Sequence, residues 1–400
     1  MPKNRTILIS GASVAGPSLA YWLHRYGFHV TVVERAPTLR EGGYAVDFRG
    51  AAMGVLERME ILSEVQRMQT HMGVVSIVDS ANKRLTSLPD GFTTGQVEIM
   101  RGDLTRILYE AICQDTEYIF NDSITSLAES EEGVFVTFKR GQPRNFDLVV
   151  GADGLHSNVR ALAFGDESQF IRHLGCYVSI FPTDNHLNLD HTGSFYCVPK
   201  RVAGIFSARS SSEATASFYF SSPPLEYDRY DVAEQKQILI DTFAGMGWEV
   251  PRVLESMRDA PDFYFDSISQ IKMECWSKDR VVLLGDAGYC GSPLSGMGTG
   301  MAVVGAYILA GELHEAAGDH RVAFSSYERL MRAYVEGCQR LANGAPEWFI
   351  PRSRFRGWLL IQMYRLLPYT PWKNFIVNIP MKAANGIKLK DYQDPPLVSS

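Results

Sequence analysis

The sequence predicts an α/β fold: a Rossmann-like dinucleotide-binding domain, an inserted antiparallel β-sheet domain, and a set of C-terminal helices. Three observations carry this expectation. The run ILISGASVAG, residues 7–16, couples an apolar strand to a glycine turn. Four stretches between Cys176 and Phe265 alternate apolar and polar residues. The run MAVVGAYILAGEL from Met301 reads as a buried helix.

The elements follow in order. After Gly16, PSLAYWLHRYG sets Leu19, Trp22 and Leu23 at helical spacing and stops at Gly27; FHVTVVER then alternates into a second strand ending at Glu34. Strand, glycine turn, helix, strand and terminal acid make one βαβ unit, with the acid about twenty residues beyond the fingerprint, where a ribose hydroxyl would meet it. Gly11 permits the tight turn. Gly16 lets helix and strand approach closely, and amides at the helix N-terminus face a pyrophosphate. Ser13 stands where G-x-G-x-x-G carries its middle glycine and is small enough for backbone approach. Taken alone, the stretch also reads as a βα turn with no ligand.

Three later stretches repeat the theme. EIMRGDLTRIL carries Arg101 just before a helix with an apolar face of Leu104, Ile107 and Leu108. LVVGADGLHSNVR is a strand, a Gly/Asp turn and a helix start ending in Arg160. RVVLLGDAGYCGSPLSGMGTGM is a buried strand, then Gly285 and Asp286, then a Pro/Gly-rich loop leading into the apolar helix.

Bulk properties narrow the function. Four hundred residues, 46% hydrophobic and 21% charged, suffice for one large or two ordinary domains. A net charge of -6 without a basic arm argues against a nucleic-acid partner. The six cysteines lie scattered, with no metal-ligand spacing, as expected of a reduced cytoplasmic chain without structural metal. The N-terminus lacks a signal-peptide core, and no apolar run reaches the ~20 residues an integral membrane segment needs. No G-x-S-x-G elbow supports a hydrolase.

GASVAG, GADGLHS and GDAGYCGSPLSGMGTG, in this order over roughly residues 5–330, resemble the group A flavoprotein monooxygenases of the p-hydroxybenzoate hydroxylase type. GGYAVDFRG, EIMRGDL and DFYFDSISQIKM, with the C-terminal helices, are most similar to the tetracycline-inactivating monooxygenases, the tetracycline destructases. The resemblance implies FAD, a reductant (NADPH, with NADH as the alternative), O₂ added at flavin C4a, and oxygen transfer to an electron-rich polycyclic phenol or enol. Antibiotic inactivation and aromatic-polyketide tailoring are the same chemistry on similar scaffolds, and both stay open. Flavin-dependent halogenases carry W-x-W-x-I-P, of which only WFIP at Trp348 is present. A flavin-dependent ligand sensor would have no need of the open glycine loop.

The resemblance also distributes roles. The fingerprint contacts are Gly11, Ser13, Ala15 and Gly16; Glu34 would hold the adenosine ribose, with Arg35 beside it. Arg101 would lie along the ribityl and pyrophosphate portion, and Asp286, after Gly285, would bond the ribityl chain. Pro293, Gly296, Gly298, Thr299 and Gly300 would shape the flavin face, with no side chain as catalytic nucleophile. Arg40 and Asp47 align with flavin-proximal positions; Arg40 is a nicotinamide contact or a solvated loop charge. Asp153 and Arg160 serve cofactor contacts, or Asp153 is a helix cap. His156 and His173 read as hydrogen-bonded structural residues rather than general bases.

The implied domains are residues 1–72, 97–173 and 266–330 for FAD, 73–96 and 174–265 for substrate, and 331–400 as a helical cover. CYVSIF, SFYCVP, AGIFSA and ASFYFSS read as antiparallel strands roofing the flavin. Tyr177, Ser179, Arg209, Phe218 and Phe220 are the candidate contacts to a flat aromatic substrate, although period two leaves open which face looks at the flavin. The tail from Glu347 interleaves aromatics with basic residues, suiting either a helix closing over the substrate or a membrane surface. A monomer is expected.

Overall fold

Ile7, Leu8 and Ile9 are apolar without interruption because the strand Thr6–Ser10 is buried on both faces, at the middle of a parallel sheet. In this computed structural model, which describes residues 4–39, 42–88, 95–208, 212–371 and 378–392, the six strands run in the order Ser277–Lys278, Val281–Leu283, Leu148–Gly151, Thr6–Ser10, His29–Glu34, Glu117–Phe120. All pair in parallel except the short Ser277–Lys278 edge. Alternation then sorts the side chains. Ile7 and Ile9 face the helices Ala15–Arg25 and Gly298–Glu315, whose Trp22 and Tyr307 rings meet edge to face at 4.9 Å. Leu8, Val149 and Val281 face a three-stranded antiparallel layer through Val134, Val136 and Phe146.

The alternating stretches form a second, seven-stranded sheet ordered Tyr264–Ile271, Ile171–Asp184, Glu213–Ser221, Arg201–Ser207, Thr192–Val198, Val75–Val78, Arg84–Ser87. Only Val75–Val78 pairs in parallel, against Thr192–Val198. The helices Val232–Phe243 and Val250–Met257 cover one face: Phe218 and Phe243 lie 4.5 Å apart, and Phe181 stacks on Phe218. Divisions drawn at 173/174 and 265/266 fall inside the strands Ile171–Asp184 and Tyr264–Ile271, which pair with each other in the seven-stranded sheet.

Likewise, a division at 330/331 falls inside the helix His320–Arg340, which packs Tyr327, Met331 and Tyr334 into the main core. Beyond it come Ala345–Phe349, Arg354–Leu366 and Ile379–Ala384. Among the described residues, no helix is long and apolar enough to cross a membrane.

Candidate functional site

The fingerprint is built on backbone that only glycine allows. Gly11 sits at φ +108°, donates its N–H to the Val33 carbonyl at 2.8 Å, and would place a Cβ 2.5 Å from the Ala152 carbonyl oxygen. A Cβ on Gly16 would overlap the Gly11 carbonyl oxygen far inside contact distance. Helix Ala15–Arg25 therefore starts hard against the strand, and no side chain caps its first turn. Its amides remain free for an anion. The Glu34 carboxylate accepts from the Ala12 and Ala36 amides at 2.8 Å each, which seats the acid on the rim of this turn.

Distant motifs converge here. Arg101 donates through Nη2 and Nε to the Ser13 hydroxyl at 2.8 and 3.2 Å, so the serine in the middle-glycine position anchors the guanidinium beside the turn. A Cβ added to Gly285 would come within 3.3 Å of the Ala15 Cβ, and one on Gly298 within 3.6 Å of Asp286 Oδ1. Burial pushes the Asp286 carboxyl up, opposed by the Cys290 thiol and Arg101. A desolvated acid of this kind is satisfied by hydroxyl donors, as a polyol chain supplies. Gly296 adopts a left-handed φ of +62° with open space where a Cβ would stand, and the 18-residue helix from Gly298 also starts uncapped. Thr299 is half-buried in that first turn, while Gly300 packs toward Ala52, 3.4 Å from a would-be Cβ. Exposed Pro293 opens the turn before it, in which Ser295 is buried. Free amides at two helix ends, an arginine between them and a buried acid fit a flavin dinucleotide.

Other residues assigned to cofactor contacts have protein partners of their own. Asp153 is a cap: it accepts from the Ser157 hydroxyl, and from the Val159 amide at 3.0 Å. Arg160 is fully buried and ties the middle motif to the late one, donating to the Ala287 and Leu155 carbonyls at 2.8 and 2.7 Å and to Glu167 at 2.7 Å. Arg35 is exposed and donates to the Tyr230 hydroxyl at 3.4 Å. Asp47 accepts from the Gly95 amide at 2.6 Å and pairs with Arg49 at 3.4 Å, in a two-stranded ladder beside the Gly298 helix. Arg40 and Arg209 lie outside the described residues.

His156 holds the two layers together. Its Nδ1 lies 2.7 Å from Glu167, and its Nε2 lies 3.1 Å from Asp266 on the seven-stranded sheet. Burial alone would lower its pKa, but the carboxylates on either side outweigh that and raise it to about 9. His173 meets the Ser222 carbonyl at 2.9 Å. A cleft of about 380 Å³ opens beside the clamp, lined in part by Tyr177, Tyr227 and Arg229.

The candidate aromatic contacts on the seven-stranded sheet lie on its helix-covered face. Phe218 and Phe220 are buried against Phe243, Ser179 spends its hydroxyl on the Tyr264 carbonyl at 2.8 Å, and Tyr177 stacks with Phe220 and Phe265. All four sit on the face the two helices cover. The opposite parity carries half-buried Phe195, Tyr219 and Tyr264, packed with Leu294 of the Pro293 turn and with Phe349, whose ring lies 4.7 Å from Tyr219. Tyr264 also lies 6.1 Å from Tyr44, whose ring stands 5.8 Å from the Arg101 guanidinium. A one-residue shift in parity moves every side chain to the other face, and only the placement of the helices selects it.

This constellation is that of a flavin-dependent monooxygenase, and comparison with known proteins agrees. Residues 4–345 match the FAD binding domain family, and the chain belongs to it. Flavin-dependent monooxygenases of an unknown prokaryotic organism and of Legionella longbeachae serogroup 1 (strain NSW150) are 42% and 39% identical over 397 residues, 98% of this chain and 100% of each relative. An uncharacterized protein of Mycobacterium tuberculosis (strain ATCC 25618 / H37Rv) is 45% identical over 88% of this chain and 96% of its own. Among solved structures, the tetracycline destructases Tet(55) and Tet(51) superpose with TM-scores of 0.85 and 0.84 at 41% and 38% identity, each over 98% of this chain and 100% of theirs. The chain is an FAD-dependent monooxygenase.

Proposed function

We propose that the protein uses NAD(P)H and O₂ to oxygenate an electron-rich polycyclic phenol or enol, with tetracycline-type antibiotics as the leading substrates. The likeness to two tetracycline destructases along nearly the whole chain carries this reading. The aromatic surface opposite the Pro293 turn supports it, because Phe195, Tyr219, Tyr264 and Phe349 offer flat apolar contact with two phenolic hydroxyls for orientation. Bound flavin supplies the oxygen-transfer chemistry. In this reading, amides at the starts of the Ala15 and Gly298 helices hold the pyrophosphate and the flavin pyrimidine edge. Arg101 neutralises phosphate charge, Asp286 accepts from ribityl hydroxyls, and Glu34 accepts from the ribose. The sheet and the Phe349 segment keep water from the reacting atoms.

The test is NADPH oxidation by the yellow purified protein with and without tetracycline, with mass spectrometry of the aerobic product. A product heavier by one oxygen supports the proposal. Flavin reduction with unaltered tetracycline would move the substrate to another aromatic polyketide.

A further inference from the structure

Among the described residues, eight of the fourteen large apolar side chains left exposed lie between Trp348 and Ile379. Chance scatter would spread them over the surface; six of them follow one another along Phe355–Tyr369, and a patch of this kind marks a contact. The helix Arg354–Leu366 carries most of it: Phe355, Trp358, Leu359, Met363 and Leu366 are 41–69% exposed, and Tyr369 beyond the helix is 87% exposed. At about 100° per residue these five helical positions fall on one stripe, with Phe355 and Leu366 at its centre. Arg354 and Arg365 flank one edge and Arg356 the other. The opposite side is already in use: Leu360 and Tyr364 are buried against the substrate sheet near Ile77, and Arg365 donates to the Leu85 carbonyl at 2.9 and 2.7 Å. The helix is thus apolar on both sides, and the described residues cover only one.

Charge selects the occupant. From Trp348 to Lys390 the sequence holds eight Lys/Arg and no Asp or Glu, in a chain whose net charge is -6. Arg354 and Arg356 are exposed and form no ion pair among the described residues. A second copy docking through the same face would bring like charges together across a two-fold axis. An anionic lipid surface accepts both features, since aromatic and aliphatic side chains enter the headgroup boundary while arginines extend to phosphates beside them.

We infer that this helix docks the enzyme reversibly on anionic membrane surfaces, with the Phe355–Leu366 stripe inserted and Arg354 and Arg356 on lipid phosphates. The experiment is co-sedimentation of the full-length, FAD-loaded protein with phosphatidylcholine vesicles, neutral or containing roughly 30% phosphatidylglycerol, at about 0.1 M salt. Binding should be at least about tenfold tighter to the anionic vesicles. Arg354→Gln with Arg356→Gln should weaken it about 25-fold, roughly fivefold per charge. Phe355→Ser with Trp358→Ser should abolish it, and since these side chains are exposed, an unchanged melting temperature certifies the fold. Equal or absent sedimentation with the two vesicle types would overturn the inference, as would wild-type binding by the arginine variant. A concentration-dependent dimer in sedimentation velocity, abolished by Phe355→Ser with Trp358→Ser, would also overturn it by assigning the stripe to a protein interface.

Discussion

His156 offers a perturbation whose size follows from the structure. Between Glu167 at 2.7 Å and Asp266 at 3.1 Å, it keeps its proton to about pH 9 rather than the 6.5 of an unfolded chain. Retaining the proton over that span corresponds to about 3 kcal/mol of folding free energy, reduced to about 2 kcal/mol because the imidazole keeps some contact with solvent. Since the folded pKa is the higher one, the contribution is complete below pH 6.5 and disappears as pH rises toward 9. His156→Gln, which cannot carry the proton, should lie about 2 kcal/mol below the wild type at pH 6 and converge toward it at pH 9.5, less any lost hydrogen bonds. Urea unfolding from pH 6 to 9.5 measures the two curves, and NMR of the imidazole C–H measures the titration directly. Parallel stability curves, or a His156 midpoint below pH 7, would refute the argument that the two layers are held by a charged clamp.

Gly16→Ala should yield protein that purifies colourless, read as the ratio of flavin to protein absorbance, because the new methyl displaces the Gly11 carbonyl. Gly27→Ala, at φ +80° with open space around it, should cost only about 1 kcal/mol and stay yellow. Arg101→Met should weaken FAD binding by roughly 10- to 100-fold, the worth of a charge-assisted hydrogen bond, as measured by flavin fluorescence on titration into apoprotein. Phe218→Ala should lower unfolding free energy by about 3–5 kcal/mol as a core cavity. Tyr219→Ala should raise KM for the polycyclic substrate several-fold while moving the melting temperature less; the reverse pattern would return the substrate to the helix-covered face.

The fold class and the dinucleotide turn were legible because they depend on short-range rules. Gly11 and Gly16 are required by backbone geometry within one strand–helix step, and the uninterrupted apolar run at Ile7–Ile9 reports a strand covered on both faces. Glu34 was placed by its spacing along one βαβ unit. Period two also announced the second sheet, yet it is blind to which face is which, so Phe218 stood among the candidate substrate contacts and Tyr219 did not. That choice belongs to the helices Val232–Phe243 and Val250–Met257, which cover one side and leave the other for the Pro293 turn and Phe349. The His156 clamp joins residues 110 positions apart, and Arg101 reaches Ser13 across 88. Local sequence thus determined where the chain turns, pairs and can approach a phosphate. Only tertiary packing decided which side chains face one another across the two sheets, because such contacts are set by how whole layers are covered rather than by any neighbour in the chain.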